Sequence, residues 1–319
     1  MDEATRNRLL RAHYGVYLHS AVEVCHWTKK ALRKEGTCYK HRFYGIDTHR
    51  CMEFSPAAIY CENRCIYCWR FVEFYRMLKM PEEAVADPKE MVKNLMKERR
   101  RLLIGFLGNE RADRCLVEEA LKPTHFAISL SGEPAMYPKL PELISYIKGL
   151  KETKSVFLVT NGQEPEMLKR LKGDSLPTQL YLSMTGYDEP SFKRISRPMF
   201  KDGWMRWLES LHTINKMRTR TVIRFTIIRG LNDDDVKKVA ELIGVGNPHF
   251  VEVKSYIHIG GSLSRLSKEH MLEMAEIRRY SDELLKHAPN FEYMDEVQES
   301  RIVVLRNRDR HTNRWIDRP

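Results

Sequence analysis

Apolar positions fall along the chain in two rhythms. Short continuous apolar runs at residues 54–60, 124–130, 155–160, 179–184, 221–228 and 250–257 have the length and β-branched content of strands covered on both faces, as in a parallel sheet. Between them, segments at 88–107, 141–152, 164–171, 203–217, 233–243 and 268–286 carry apolar residues at helical period. The first of these has a clear start, with Asp87 followed by Pro88 at the first helical position, where a missing N–H is harmless. Six strand–helix units in alternation predict an α/β fold, an open or partial barrel rather than the closed eight-unit form. One more strand is expected at 301–305, ahead of a basic tail ending at Arg318. No repeat, low-complexity tract or Gly/Ser linker divides the chain. The expected organisation is an N-terminal extension over 1–52, a core over 53–265 and a C-terminal helix-and-strand extension over 266–319.

With 319 residues, 42% of them hydrophobic and 30% charged, the chain can fill a sizeable core, which excludes wholly disordered chains and small cross-linked scaffolds. No apolar run approaches the roughly 18 residues of a membrane helix, so no membrane partner is expected. Met1-Asp2-Glu3 opens without the basic and apolar stretches of a secretory signal. The expected setting is cytoplasmic and reducing, where the seven cysteines read as metal ligands or catalytic thiols rather than disulfides. A formal charge of +11 points to an anionic partner.

Six of the seven cysteines lie between Cys25 and Cys68. Cys61, Cys65 and Cys68 form CxxxCxxC just after the first predicted strand, at the strand end where barrel folds place their sites. Three thiolates at that spacing hold three irons of a four-iron cluster and leave the fourth open to a small molecule. The plainer alternative is a Cys3His zinc site, but no histidine stands at ligand spacing on either side. Cys25, Cys38 and Cys51 follow one another at intervals of 13 residues. They read as ligands of a second cluster with its own open iron, unless His26, His41 or His49 closes it; scattered buried thiols are the alternative. Cys115 stands alone between charged residues and reads as a buried structural thiol.

The segment CENRCIYCWR, with Tyr67 one residue before the last cysteine, resembles the motif of the radical S-adenosylmethionine superfamily. The resemblance implies that the open iron takes the amino and carboxylate groups of S-adenosylmethionine, whose reductive cleavage yields a 5′-deoxyadenosyl radical. Ser131-Gly132-Glu133-Pro134, after the second strand, resembles the superfamily's Gly-Glu motif for the methionine amino group: glycine admits close backbone approach and Glu133 accepts from the ammonium. An ordinary turn is the other reading of that tetrapeptide. Asn161 after strand three, Ser183 in strand four and Arg224 in strand five fall where cofactor contacts are expected, or where a polar residue merely caps the next helix.

The paired triads, the stretch 36–70 and the blocks SLSGEPAMYP, FLVTNGQ, LYLSMT, FKRISRPMFKDGW and VEVKSYIHIG resemble the archaeal form of the tRNA 4-demethylwyosine synthases over nearly the whole chain from Cys25 onward. That resemblance implies a partial TIM barrel, a (β/α)6 radical-SAM core with N- and C-terminal extensions, holding two 4Fe-4S clusters and S-adenosyl-L-methionine. It implies a lyase-type reaction in which N1-methylguanosine-37 of tRNA-Phe condenses with pyruvate, gaining two carbons and losing the carboxyl carbon. Eukaryotic members carry a flavodoxin-like FMN domain, and too few residues precede Cys25 to form one. An external electron donor of flavodoxin or ferredoxin type is therefore expected, with the chain acting as a monomer.

The radical formed on the N1-methyl carbon must meet pyruvate within bonding reach, which asks for a fixed pyruvate site. The second cluster's open iron is one means. Lys40, two residues beyond Cys38, is another, as the amine of a Schiff base, and its plainer role is to balance the cluster's charge. Arg99, Arg100, Arg101, Lys193, Arg194, Arg197, Arg218, Arg220 and the 301–318 tail are candidates for phosphate contacts. Trp204 or Trp207 is a candidate for stacking an unpaired base, with core packing as the alternative. Two other readings are a radical-SAM tRNA modifier of methylthiolation type and a non-enzymatic, zinc-bound RNA-binding module.

Overall fold

The computed structural model describes residues 1–316, so Arg318 lies outside the described residues. Ten strands form one sheet: β1 (Gly15–Tyr17), β2 (Ser20–Glu23), β3 (Cys51–Ser55), β4 (His125–Ile128), β5 (Ser155–Thr160), β6 (Gln179–Met184), β7 (Arg220–Ile227), β8 (Phe250–Ser255), β9 (Phe291–Val297) and β10 (Ile302–Asn307). Their spatial order is β1-β2-β3-β4-β5-β6-β7-β8-β10-β9. From β3 to β8 every pairing is parallel, the run of a partial six-stranded barrel. Antiparallel strands lengthen it at both edges, β1 and β2 beside β3 and then β10 and β9 beside β8. The sheet therefore runs without a break through the N- and C-terminal segments.

Five of the six expected parallel strands stand within two residues of their predicted ends. The first is displaced: the strand is Cys51–Ser55 rather than 54–60. Pro56 has no N–H to give to a ladder, and the apolar run after it is spent on turns. This correction puts Cys51 on the sheet itself, with Cys61 a turn away. The final helix also starts later, at Met274, after a separate short turn at Lys268–His270.

Alternation along the parallel strands explains what covers each face. Phe126, Ile128, Val156, Leu158, Leu180, Leu182, Ile223, Phe225, Val251 and Val253 join the main core with apolar side chains of the surrounding helices. The intervening residues Ala127, Phe157, Tyr181, Val222 and Phe250 pack instead on Tyr39, Phe43 and Tyr44. The short helix Tyr39–Tyr44, from the N-terminal segment, thus covers the inner face of the partial barrel. Phe43 and Tyr44 are wholly buried, a gain of about 1.5–3 kcal/mol for a large apolar side chain such as Phe43. The Tyr44 hydroxyl donates to Glu252 at 2.9 Å. Cys38 caps the start of this helix and Lys40 lies in its first turn, so packing that belongs to the core carries both residues inside the barrel. Among the described residues no helix is long and apolar enough to cross a membrane.

Candidate active site

One cavity of about 840 Å³ is lined by both cysteine triads, by Lys40, and by Ser131, Gly132, Glu133, Asn161, Ser183 and Arg224. Its size is that of a substrate cavity rather than a packing defect. All seven cysteines are free thiols. Burial pushes the Cys25 and Cys65 thiols up to about 12, and raises Cys38, Cys51, Cys61 and Cys68 as well. Within each triad neighbouring thiols raise one another: Cys25 and Cys38 act on Cys51, and Cys65 on Cys61. Such groups stay protonated until a metal reverses the local balance by binding the thiolate. No three His, Cys, Asp or Glu side chains among the described residues converge as they do on a single ion. A single zinc draws its donors to about 2.3 Å from one point, whereas a four-iron cluster offers each thiolate its own iron. Two sets of three thiols line one cavity, and in donor type and number they match what two such clusters would need. Of the three histidines near the second triad, His26 lines this cavity, while His41 bonds the Ile46 carbonyl at 2.8 Å and His49 the Glu119 carboxylate at 2.7 Å.

The Gly-Glu motif is strapped to the chain ahead of Cys61. Gly132 has φ +69°, and a Cβ there would overlap the Ala57 carbonyl, so only glycine fits. The Glu133 N–H donates to the Tyr60 carbonyl at 2.7 Å, and the Gly132 N–H to the Tyr75 hydroxyl at 3.0 Å. Ser131 Oγ donates to the Ala58 carbonyl at 2.8 Å. The Glu133 carboxylate accepts from the Thr160 hydroxyl at 2.7 Å, the Asn161 N–H at 2.7 Å and the Ala135 N–H at 3.0 Å. These donors fix its orientation, yet burial outweighs them and pushes Glu133 up to about 7. Ser183 presents its carbonyl to the Trp207 indole at 2.9 Å.

At the other end of the cavity, Lys40 is 8% exposed, its ammonium 4.5 Å from the Phe157 ring centroid and 5.0 Å from that of Tyr181. Arg224 donates to Glu252 at 2.9 Å and to the Tyr39 hydroxyl, and lies 4.5 Å from the Tyr181 ring centroid. It thereby ties β7 and β8 to the helix that carries Lys40. Lys254 donates to the Ser300 carbonyl at 2.8 Å; burial, with Arg224 alongside, brings its pKa down to about 8. Sequence reasoning passed over Lys254. The signal was present in VEVKS, where Glu252 and Lys254 alternate with Val251 and Val253 in a strand begun by Phe250 and ended by Ser255. Tyr75, Glu53 and Arg70 also line the cavity and were missed; Tyr75 sits in a segment without periodicity and offered no signal.

The readings of Cys115 and Arg99 are corrected, and the structure places the other surface candidates. Cys115 is exposed in the first turn of the helix Arg114–Ala120 and lies away from the cavity. Arg99 is buried, donating to the carbonyls of Cys51 at 3.0 Å, His49 at 3.3 Å and Ala120, so it braces the start of β3 instead of meeting phosphate. Arg220 is held by Gln179 and the backbone of Asn313 and Arg314. Arg101, Lys193, Arg301, Arg306 and Arg314 pair with Glu98, Glu189, Glu273, Glu292 and Asp295, and Arg194 donates to the Leu231 carbonyl. Arg100, Arg197 and Arg218 are exposed. Trp207 is wholly buried and stacked on Trp204 at 5.3 Å, which is core packing.

Comparison with known proteins agrees with this geometry. Residues 58–243 match the family described as Radical SAM superfamily and residues 245–307 that described as Wyosine base formation. The S-adenosyl-L-methionine-dependent tRNA 4-demethylwyosine synthase of Pyrococcus abyssi is 40% identical, over 97% of this chain and 90% of its own. That of Methanocaldococcus jannaschii is 36% identical over 96% of each chain. The human enzyme, TYW1, is 38% identical over 96% of this chain, which spans 41% of the human protein. A structure of TYW1 with a lysine-pyruvate adduct bound superposes with a TM-score of 0.87 at 36% identity over 99% of both chains, and an archaeal TYW1 crystal structure with 0.79 at 31%. With two triads and a Gly-Glu motif gathered in one partial barrel, and relatives matching from end to end, the chain belongs to the tRNA 4-demethylwyosine synthase family of radical S-adenosylmethionine enzymes.

Proposed function

We propose that this chain converts N1-methylguanosine-37 of tRNA-Phe to 4-demethylwyosine with two carbons drawn from pyruvate, and that it holds two four-iron clusters. The observation that carries the reading is the single cavity shared by both cysteine triads, Glu133 and Lys40. Cys61, Cys65 and Cys68 would hold the first cluster, which would supply the electron for reductive cleavage of S-adenosylmethionine and so a radical able to take hydrogen from the N1-methyl group, a carbon neither acidic nor electrophilic. The chain's own residues do the rest. Gly132 lets its loop press against the Ala57 and Tyr60 carbonyls, which sets Glu133 to accept from the methionine ammonium. Lys40, once its ammonium has given a proton to solvent, attacks the pyruvate keto carbon and, with loss of water, holds it as an imine. Arg224 and Lys254 place positive charge beside Lys40 for the pyruvate carboxylate. Fixing both reactants in one enclosure replaces a rare encounter by a held geometry. The lysine-pyruvate adduct in the related structure supports the covalent route. Cys25, Cys38 and Cys51 would hold the second cluster, and an external flavodoxin or ferredoxin would supply electrons in the cytoplasm, where thiols stay reduced. The substrate requirement is the direct test: tRNA carrying N1-methylguanosine yields product, and the same tRNA with unmethylated guanosine yields none.

Glu133 gives a pH-dependent expectation. A carboxyl raised to about 7 by burial makes the unliganded fold steadier when protonated, and that contribution is lost as pH rises from the ordinary carboxylate range toward 7. The ionised form is the one that accepts from an ammonium. S-adenosylmethionine binding should therefore tighten as pH rises through about 7, and Glu133→Gln should weaken it roughly 10- to 150-fold and flatten the pH profile, the span of a charged hydrogen bond. Calorimetric titration of wild type and variant at several pH values checks both; equal affinity in the variant would remove Glu133 from the cofactor site.

A further inference from the structure

We infer that Trp69, with Ile259 and Leu263, forms a platform at the cavity mouth on which the tRNA stacks the nucleobase next to the reacting one; the inference rests on the proposed function and adds where the RNA is held. Trp69 follows Cys68, lines the cavity and is 43% exposed. The Arg70 guanidinium lies 3.3 Å from the centroid of its ring, and Arg70 is itself buried and tied to Glu23 at 2.9 Å and to Tyr14. One side of the indole is thus backed by a fixed cation. The neighbouring segment is clasped onto the same loop: the Gly261 N–H donates to the Trp69 carbonyl at 2.8 Å, and Arg265 donates to the carbonyls of Ile66 at 3.1 Å and Cys68. Gly260, at φ +57°, sits where a Cβ would overlap the Trp69 carbonyl. This clasp sets Ile259, 44% exposed, and Leu263, 55% exposed, in the segment against Trp69.

Trp69 and Ile259 line the cavity and Leu263 lies four residues beyond Ile259; large apolar side chains left in water together in this way mark a binding surface. Chemistry selects the occupant. A guanosine entering the cavity must leave its stack, which strips one neighbour of its partner. An indole backed by a guanidinium replaces that partner, because every base has a π face. The same cavity is lined by Trp27 and Lys30, with the Lys30 ammonium 5.4 Å from the Trp27 ring centroid, which adds positive charge for a nucleic acid backbone.

The test measures tRNA affinity over a salt series for cluster-loaded wild type, Trp69→Ala, Trp69→Phe and Leu263→Asp. Trp69→Ala should weaken binding roughly 5- to 100-fold, the range of one aromatic–base stack, and Trp69→Phe should restore most of it. The slope of log affinity against log salt should stay that of wild type, because no phosphate contact is lost. Leu263→Asp, whose side chain is outside the cysteine loop, should also weaken binding, and it decides the matter if Trp69→Ala loses iron. Wild-type affinity in both Trp69→Ala and Leu263→Asp, or a changed salt slope in Trp69→Ala, would overturn the platform. So would Leu263→Asp that binds tRNA normally but no longer accepts electrons from a flavodoxin, which would assign the patch to the donor protein. Each of these leaves the proposed function standing as long as wild type makes product; failure of wild type to bind tRNA at all strikes that reading instead.

Discussion

Alanine at Cys25, Cys38 and Cys51 together should leave S-adenosylmethionine cleavage measurable while nucleoside product falls to background; alanine at Cys61, Cys65 and Cys68 should abolish both. The two triads line one cavity from different elements, the first caps of two N-terminal helices and the start of β3, the second the loop beyond it. Each set is complete without the other, so the chemistry separates. Losing the Cys25 side chain also removes its contact with the Thr28 N–H at 3.5 Å, a weak helix cap. Iron and sulfide analysis after anaerobic reconstitution supplies the count, with each triple variant losing about half the wild-type iron. A wild type that binds only about four irons per chain removes the second cluster from the account.

Lys40→Arg should lose all product while both clusters remain. The substitution keeps a cation over Phe157 and Tyr181, and a guanidinium that stays protonated cannot form an imine. Lys40→Ala should be equally inactive. If Lys40 merely balances charge, Lys40→Arg retains much activity and Lys40→Ala loses more, so the pair of variants divides the two roles. Borohydride reduction in the presence of pyruvate, followed by peptide mass analysis, should place the adduct on Lys40. An adduct on Lys254, whose amine is brought to about 8, would move the covalent role from one wall of the cavity to the other.

The parallel core was legible because its strands are covered on both faces and read as unbroken apolar runs; β5 and β6 have the predicted ends. The antiparallel strands β1, β2 and β9 were not, since β1 and β2 have only three and four residues and β9 alternates Glu, Tyr, Met and Asp. The first parallel strand was misplaced because periodicity alone does not distinguish a strand from the apolar turn that follows it, and Pro56 was the overlooked stop signal. The cysteines were legible from spacing, which is a property of the chain. The burial of Lys254 and the pairing of the arginines are properties of distant contacts, such as Arg99 with Cys51 and Arg314 with Asp295, and local sequence carries no sign of them. The inward face of the barrel shows the same limit: nothing in residues 39–44 by themselves announces that they cover Phe157 and Tyr181.

The central claim is that two carbons of pyruvate become part of the tRNA base in this cavity. Anaerobic incubation of the reconstituted chain with S-adenosylmethionine, a reductant, N1-methylguanosine tRNA and pyruvate carrying carbon-13 at its second and third carbons, followed by mass analysis of the digested nucleosides, tests it directly. The account predicts a tricyclic nucleoside heavier by both labels, and no label when only the carboxyl carbon is marked. A nucleoside that gains sulfur, or one that takes up no pyruvate carbon while S-adenosylmethionine is cleaved, would contradict it.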